Sequence, residues 1–235
     1  MPSTTSHTVK AFDDDLKELR ALVAEMGGRA EAAIGDAMTA LTRRDLDLAA
    51  RVVEGDKRID DIEAEIERLA VRLIALRAPM ADDLREVLGA LKISSVIERI
   101  GDYGKNIAKR VPLLQAARNI EPLSILPAMS RAALAMVQGA LDAFAARDAD
   151  RAVVVVEQDR EVDDFYNSLF RALLTHMMEN PHTISEATHL LFIAKNLERV
   201  GDHATNIAET VYFAATGRHI TERTRGTDAL ATEIN

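Results

Sequence analysis

The sequence predicts an all-α protein built as two pseudo-symmetric three-helix bundles, six helices in all, related by an internal duplication. Three observations carry that prediction. The residue mix leans towards Ala, Leu, Arg, Glu, Asp and Ile, with 4% aromatics and no Trp, so helix formers outweigh the β-branched and aromatic residues that sheets prefer. The segment ERIGDYGKNIA, Glu98 to Ala108, returns one hundred residues later as ERVGDHATNIA, Glu198 to Ala208, with seven of eleven positions identical. Upstream, the halves align at a shift of 103 instead: Arg44-Asp45 matches Arg147-Asp148, Val52-Val53-Glu54 matches Val155-Val156-Glu157, and Asp56 with Asp60-Asp61 matches Asp159 with Asp163-Asp164. A repeat of this kind is one supersecondary unit used twice.

The elements follow in order. The three-residue difference in shift must fall between the two matched stretches, and it falls at Ala78-Pro79 and Asn180-Pro181, where proline disfavours helical geometry in the residue before it. Each half then reads as three helices, about residues 10–44, 47–77 and 80–117, then 124–147, 150–179 and 183–216. Asp45 and Asp148 stand at the first interhelix turns, placed to cap the next helix, and Pro122 and Pro127 mark the join between halves. The organisation expected is a first repeat over 1–120, a second over 121–218, and a tail over 219–235 with no apolar period, expected to be disordered.

Each helix needs an apolar stripe. In the second helix Ile59, Ile62, Ile66, Leu69, Leu73 and Leu76 supply it at spacings of three and four. The third helix has two: Leu84, Leu88 and Leu91 on one side, with Ile93, Val96, Ile100, Ile107 and Val111 nearly opposite. It is expected to be buried on both sides, which predicts that the halves pack together and that the chain forms a homodimer.

Composition narrows the function. The chain has 235 residues, 48% of them hydrophobic, enough for a sizeable core. It has no Cys, so any metal must be held by oxygen or imidazole, and a reducing, cytoplasmic setting is expected. No signal layout opens the chain and no apolar run approaches the ~20 residues that span a bilayer. The formal charge of −9 comes from 38 acidic against 29 basic residues. With no dense Lys/Arg cluster, nucleic acid is not an expected partner, and a membrane would be met only through a membrane protein. There is no glycine-rich phosphate loop and no Ser/His/Asp set, so no enzymatic activity is expected.

The chemistry-bearing residues lie in the duplicated segments. Glu98, Asp102 and Asn106 follow at i, i+4 and i+8 on the third helix and continue the line of Leu84, Leu88 and Leu91; Glu198, Asp202 and Asn206 repeat them. An apolar stripe that turns into carboxylates places acid groups where burial is costly without a cation or hydrogen-bond partner. The second helices add Asp56 and Asp60, and Asp159 and Asp163. Glu63 and Glu67 extend the first row, but Tyr166 and Phe170 stand at their equivalents. Four carboxylates per half form surroundings that hard divalent cations prefer. Against this stand two plainer readings: a solvated acidic face, or salt bridges to Arg99, Arg110 or Lys109, although Arg99 points about 100° away from Glu98 around the helix.

Other features carry less. Glu186 and His189 have the Glu-x-x-His spacing of di-iron sites, but Gly89 stands where a second His would be required. His203 lies off the Asp202 ridge and is expected to face a groove. Gly101 and Gly201 inside helices point to close helix approach.

The two segments ERIGDYGKNIA and ERVGDHATNIA resemble the duplicated acidic signature of the PhoU family, a resemblance covering about residues 12–216. Asp56 with Asp60 and Asp159 with Asp163 sit where that family has its second acidic row. Asp83-Leu84-Arg85 resembles its Asp-Leu-Arg helix start, whereas the second half reads Thr183-Ile184-Ser185. The resemblance implies a pair of three-helix bundles, a homodimer, and multinuclear metal on the motif helices. It further implies action on the phosphate ABC transporter's ATPase subunit and on a phosphate-sensing histidine kinase, repressing the phosphate-starvation response when phosphate is plentiful. The expected metal ligands are Glu98, Asp102, Glu198 and Asp202, helped by Asp56, Asp60, Asp159 and Asp163. Mg, Ca, Mn, Fe and Zn all accept such oxygen ligands. The competing functions are a carboxylate-bridged di-iron oxidase and a purely structural helical scaffold.

Overall fold

A computed structural model describes residues 4–115 and 124–220. Six α-helices account for almost all of them: α1 (Thr4–Arg43), α2 (Leu46–Arg77), α3 (Asp82–Ala108), α4 (Leu126–Ala146), α5 (Ala149–Glu179) and α6 (Ile184–Thr216). Each half is a three-helix bundle, and no strand occurs among the described residues. The expected helix boundaries hold closely, except at the start of α1, which begins at Thr4 rather than near residue 10, and at the end of α3. The third helix ends at Ala108 and is followed by a short 3-10 turn, Pro112–Leu114, rather than running to 117. Pro112, which has no N–H to give to a helical ladder, sits at the start of that turn. Pro122 and the tail beyond residue 220 lie outside the described residues.

The turns after α1 and α4 have the same construction, as the duplication requires. Arg44 and Arg147 adopt left-handed backbone, with φ of 58° and 54°, and the next N–H, of Asp45 or Asp148, returns to Ala40 O at 3.0 Å or Ala143 O at 2.9 Å. That closes the preceding helix in a Schellman-like manner. The same aspartates then cap the following helix, Asp45 Oδ1 accepting from Leu48 N at 2.8 Å and Asp148 Oδ1 from Arg151 N at 3.0 Å. Two residues therefore reverse the chain.

Apolar residues at spacings of three and four bury one stripe of each helix: Leu16, Leu19, Val23, Met26, Ala30 and Ile34 on α1, and Val52, Ile59, Ile62, Ile66, Leu69 and Leu73 on α2. Leu76, read as part of the second stripe, is 72% exposed instead, because it lies beside the α2–α3 turn, past the end of the packed stretch. The third helix also differs from expectation. Leu88 is exposed and Leu84 and Leu91 are only half-buried, while Val87, Ala90, Ile93, Ile97, Ile100 and Ile107 are fully buried. α3 packs on α1, α2 and α6, and the line of Leu84, Leu88 and Leu91 is a margin of the helix rather than core.

The halves are joined chiefly through α3 and α6, which run antiparallel. A Cβ on Gly89 would lie 3.5 Å from Ala214 Cβ, Tyr103 meets His203 midway, and the Arg110 guanidinium sits 4.8 Å over the Phe192 ring. α1 and α4 also pack on each other. Glu86, 6% exposed, ties these elements together: it accepts from Arg20 of α1 at 2.5 Å and pairs with Arg147 at the end of α4. A buried carboxylate between two guanidiniums is a charge that would be costly if left alone. Gly104 lies close against the α1 backbone, where a Cβ would stand 3.0 Å from the Ala33 carbonyl carbon. No helix among the described residues is long and apolar enough to cross a membrane.

Candidate functional site

Small residues at the helix crossings set the geometry of the acidic residues. A Cβ on Gly101 would meet Ile59 Cδ1 at 2.7 Å, and one on Gly201 would meet Asp159 Oδ1 and Val162 Cγ1 at 3.4 Å. The two motif glycines thus mark where α2 lies against α3 and α5 against α6, as their place inside helices led one to expect. Asp56 and Asp60 flank Ile59 on α2, so the close contact at Gly101 sets them beside Asp102. Asp159 and Asp163 flank Val162 on α5 in the same way.

Asp56 falls in the apolar stripe of α2, between Val52 and Ile59, and is 6% exposed, whereas Asp60 one turn later is exposed. The solvated-face reading therefore holds for one member of the pair and fails for the other. On α3, Asp102 and Glu98 are half-buried. The crowding shows in the acidity of Glu98. Burial pushes the Glu98 carboxyl up, with Asp102, Glu63 and Asp60 adding repulsion. Asp60, though exposed, is raised by the partial loss of water around its carboxyl and then by Asp56, with Lys105 opposing. Glu63 joins the row: burial, Asp60 and Glu67 raise it, and a hydrogen bond from Ser95 lowers it.

The second half shows the same crowding more strongly. Burial first, then Asp159, Glu198 and Asp202, push the Asp163 carboxyl from 3.8 up to about 6, with Lys195 opposing. Glu198 is raised by burial despite a hydrogen bond from Lys195 at 2.6 Å. Its other oxygen, Oε2, is buried without a partner. All eight candidate ligands thus lie within electrostatic reach of their own half's cluster.

Of the cations weighed from sequence only Arg99 answers them, and two lysines do so besides. Lys105 Nζ lies 2.5 Å from Asp56 Oδ2 and 3.4 Å from Asp102 Oδ1, bridging α2 and α3. Lys195 pairs with Glu198. Neither was among Arg99, Arg110 and Lys109, the partners weighed from sequence, although each stands three residues from its carboxylate, a spacing that brings side chains together on a helix. Arg99 does reach Glu98, at 3.6 Å, because a long guanidinium stem spans the angular gap that separates the two Cβ positions. Arg110 instead lies over Phe192.

As ligands, these residues fit a hard divalent cation in chemistry: they are all oxygen donors, crowded, partly dehydrated, and an ammonium is already lodged among one set. Among the described residues no three His, Asp or Glu are gathered around one point as a finished set of ligands. Side chains now turned to the lysines would have to swing inward for an ion to be held. Asn106 and Asn206, at the ends of the ridges, are half-buried.

The remaining candidates are accounted for differently. His203 packs against Tyr103, its own counterpart in the other half, with Nε2 3.3 Å from the Tyr103 hydroxyl and ring centroids 5.4 Å apart. Burial lowers its pKa, and Asp202 opposes. Glu186 Oε2 and His189 Nδ1 are buried without partners, but Gly89, where a second di-iron histidine would stand, lies against Ala214 and Thr210.

Because Asp163 holds its proton more readily folded than unfolded, that contribution to stability is full below about pH 4 and is lost as pH rises through about 6. In metal-free protein, Asp163→Asn is expected to be more stable than the parent at pH 8, with the gain shrinking at pH 5. Urea unfolding in chelator at the two pH values reads this, and a variant less stable by equal amounts at both would refute it.

Comparison with known proteins gives a consistent picture. The PhoU domain matches twice, over residues 23–111 and 126–211. A phosphate-specific transport system accessory protein PhoU homolog from Zymomonas mobilis is 58% identical over 231 residues, 98% of each chain. The protein of the same description in Escherichia coli, PhoU, is 38% identical over 218 residues, 91% of this chain and 90% of that one. Among solved structures, PhoU from Pseudomonas aeruginosa superposes with a TM-score of 0.84 at 38% identity, covering 88% of this chain and all of that one. The phosphate transport system regulatory protein PhoU from Streptococcus pneumoniae gives 0.83 at 29%, covering 90% of this chain and all of that one. With the domain present twice and relatives matched along nearly their whole length, the chain belongs to the PhoU family.

Proposed function

We propose that the protein is a non-enzymatic accessory protein of phosphate transport that carries divalent metal on two acidic clusters. In this reading it acts on the phosphate ABC transporter's ATPase subunit and a phosphate-sensing histidine kinase, in the cytoplasm, repressing phosphate-starvation genes when phosphate is plentiful. The observation that carries it is the near full-length match to proteins named as phosphate transport accessory or regulatory proteins. Crowded carboxylates at equivalent places in both halves support the metal part. The ligands are Glu98, Asp102, Glu198 and Asp202, with Asp56, Asp60, Asp159 and Asp163 helping, and Mg, Mn, Fe or Zn as the ion.

Like charges on facing ridges repel, so a cation between them stabilises the fold. An ion that binds only the folded state adds about 2.7 kcal/mol at a hundredfold excess over Kd. The double variant Asp102→Asn with Asp202→Asn should fold, bind less metal, and lose most of the metal-induced rise in melting temperature. Full metal content and an unchanged thermal shift would remove these positions from the ligand set.

A homodimer belongs to the same reading. The second apolar side expected on α3 is already covered by α6 and α1, so support now comes from the helix-hairpin tips, where Leu76, Met80 and Met178 are 72%, 79% and 77% exposed. Light scattering at micromolar concentration should give twice the chain mass; a monomer throughout would end the dimer.

For the regulatory role, deletion of the gene should leave a phosphate-starvation reporter switched on in phosphate-rich medium. Normal repression in a deletion strain with no second copy would count against it.

A further inference from the structure

α3 and α6 cross at Tyr103 and His203, and one turn before each ring the duplicated segment places an arginine, Arg99 on α3 and Arg199 on α6. Residues four apart share a ridge of a helix, so each arginine stands on the ridge that carries its ring to the seam. Because the helices run in opposite directions, the two arginines lie on opposite sides of the crossing, each about 6 Å along its own axis. Both are exposed, and both act on both rings. Burial raises the Tyr103 hydroxyl while Arg199 and Arg99 lower it; burial lowers the His203 ring, Asp202 opposes, and Arg99 and Arg199 lower it further. The ring pair also keeps one donor in reserve. The Tyr103 hydroxyl lies 3.3 Å from His203 Nε2, and His203 Nδ1 is buried with no hydrogen-bond partner. If Nε2 accepts, the Nδ1–H is left over; if Nε2–H donates, the Tyr103 O–H is left over.

We infer that this seam binds one small tetrahedral oxyanion of the phosphate kind, gripped by Arg99 and Arg199 from opposite ends over the Tyr103–His203 pair. A guanidinium presents a planar fork that matches the oxygens of such an anion, and two forks from opposite sides hold it more firmly than one. The donor left over by the ring pair adds a neutral contact. One arginine and one ring come from each half, so the site is single and exists only where the halves pack. Four carboxylates oppose it. Glu98 lies 3.6 Å from Arg99, and Glu198 is lowered in part by Arg199, so each glutamate draws its arginine outwards. Asp102 and Asp202 both act on the Tyr103 ring. These are the carboxylates assigned above to metal. A divalent ion on the acidic rows takes up that charge and releases the arginines to the seam, so metal and oxyanion strengthen each other's binding. The site stands on the seam itself, and only this coupling rests on the metal reading.

Equilibrium dialysis of chelator-treated full-length protein against radiolabelled inorganic phosphate, in chloride buffer of low ionic strength, tests the site. One anion per chain should bind. Arg99→Gln and Arg199→Gln should each weaken it about tenfold, the loss expected for a charged hydrogen-bond donor. Arg99→Lys and Arg199→Lys, which keep the charge without the fork, should lose less and serve if a glutamine variant does not fold. The pair Arg29→Gln with Arg171→Gln, exposed on α1 and α5, removes as much charge elsewhere and should bind as the parent does. Phosphoserine run beside inorganic phosphate separates the two sources: weaker binding of the monoester assigns the site to the free anion, tighter binding to a phosphoryl group on a larger molecule. Saturation with Mg2+ should tighten the parent's hold on phosphate. Mg2+ uptake without that tightening would end the coupling and leave the site, and phosphate binding by a chain that takes up no Mg2+ would end the metal reading alone. No binding to the parent at millimolar phosphate, or an equal loss in the Arg29 and Arg171 pair, would overturn the oxyanion site.

Discussion

The structure depends on close helix approach at two glycines. At Gly101 and Gly201 a side chain has been given up inside a helix, which costs about 1 kcal/mol each relative to alanine, and the neighbouring helix fills the space. Everything notable about the acidic residues follows from that contact. α2 comes near enough to α3 for Asp56 and Asp60 to repel Asp102 and Glu98, and α5 near enough to α6 for Asp159 and Asp163 to repel Glu198 and Asp202. A side chain at Gly101 would press on the flexible end of Ile59, and at Gly201 the neighbouring helix already stands at ordinary contact distance. The packing therefore holds like charges together against their own electrostatics, and the cost is met by the surrounding apolar core.

That tension is answered differently in the two halves, although they share an ancestor in sequence. The first half places an ammonium across its two helices. The second leaves a buried carboxylate oxygen of Glu198 unpartnered and Asp163 raised to about 6. Duplication preserved the carboxylates and the glycines, while the lysine set among them stands at 105 in the first half and at 195 in the second. Pseudo-symmetry elsewhere is close: the Arg-Asp turns have matching backbone and matching caps, and the positions 103 and 203 meet as Tyr against His where the two third helices cross. The turns have kept their form because two residues must reverse a helix there.

Much of this was legible in the sequence. Six helices, their pairing into two repeats, the capping aspartates and the close-contact glycines all follow from local rules: helix propensity, a repeated segment, proline at the hairpin turns and Asp at the interhelix turns. These are properties of short stretches, and the internal repeat made each reading count twice. The eight carboxylates were found the same way, because i, i+4 spacing fixes which residues share a helix ridge whatever lies around it. Asp56 carried a further signal, standing in an apolar stripe where a hydrophobe would be expected.

Only the tertiary structure decided the rest, because it turns on which helices become neighbours and how far side chains reach. The spacing placed Leu84, Leu88 and Leu91 on one side of the third helix, yet that side is a partly exposed margin, since burial depends on where α1 and α6 lie. It also could not show that Lys105 would reach a carboxylate forty-nine residues away, or that Arg99 would bend back to Glu98, because angular position on a helix fixes Cβ and leaves a long flexible side chain free to choose its partner. Sequence by itself determined the elements and the ridge of acids. The packing of α2 on α3 and α5 on α6 determined which acids crowd, which cation answers them, and that the two halves do so in different ways.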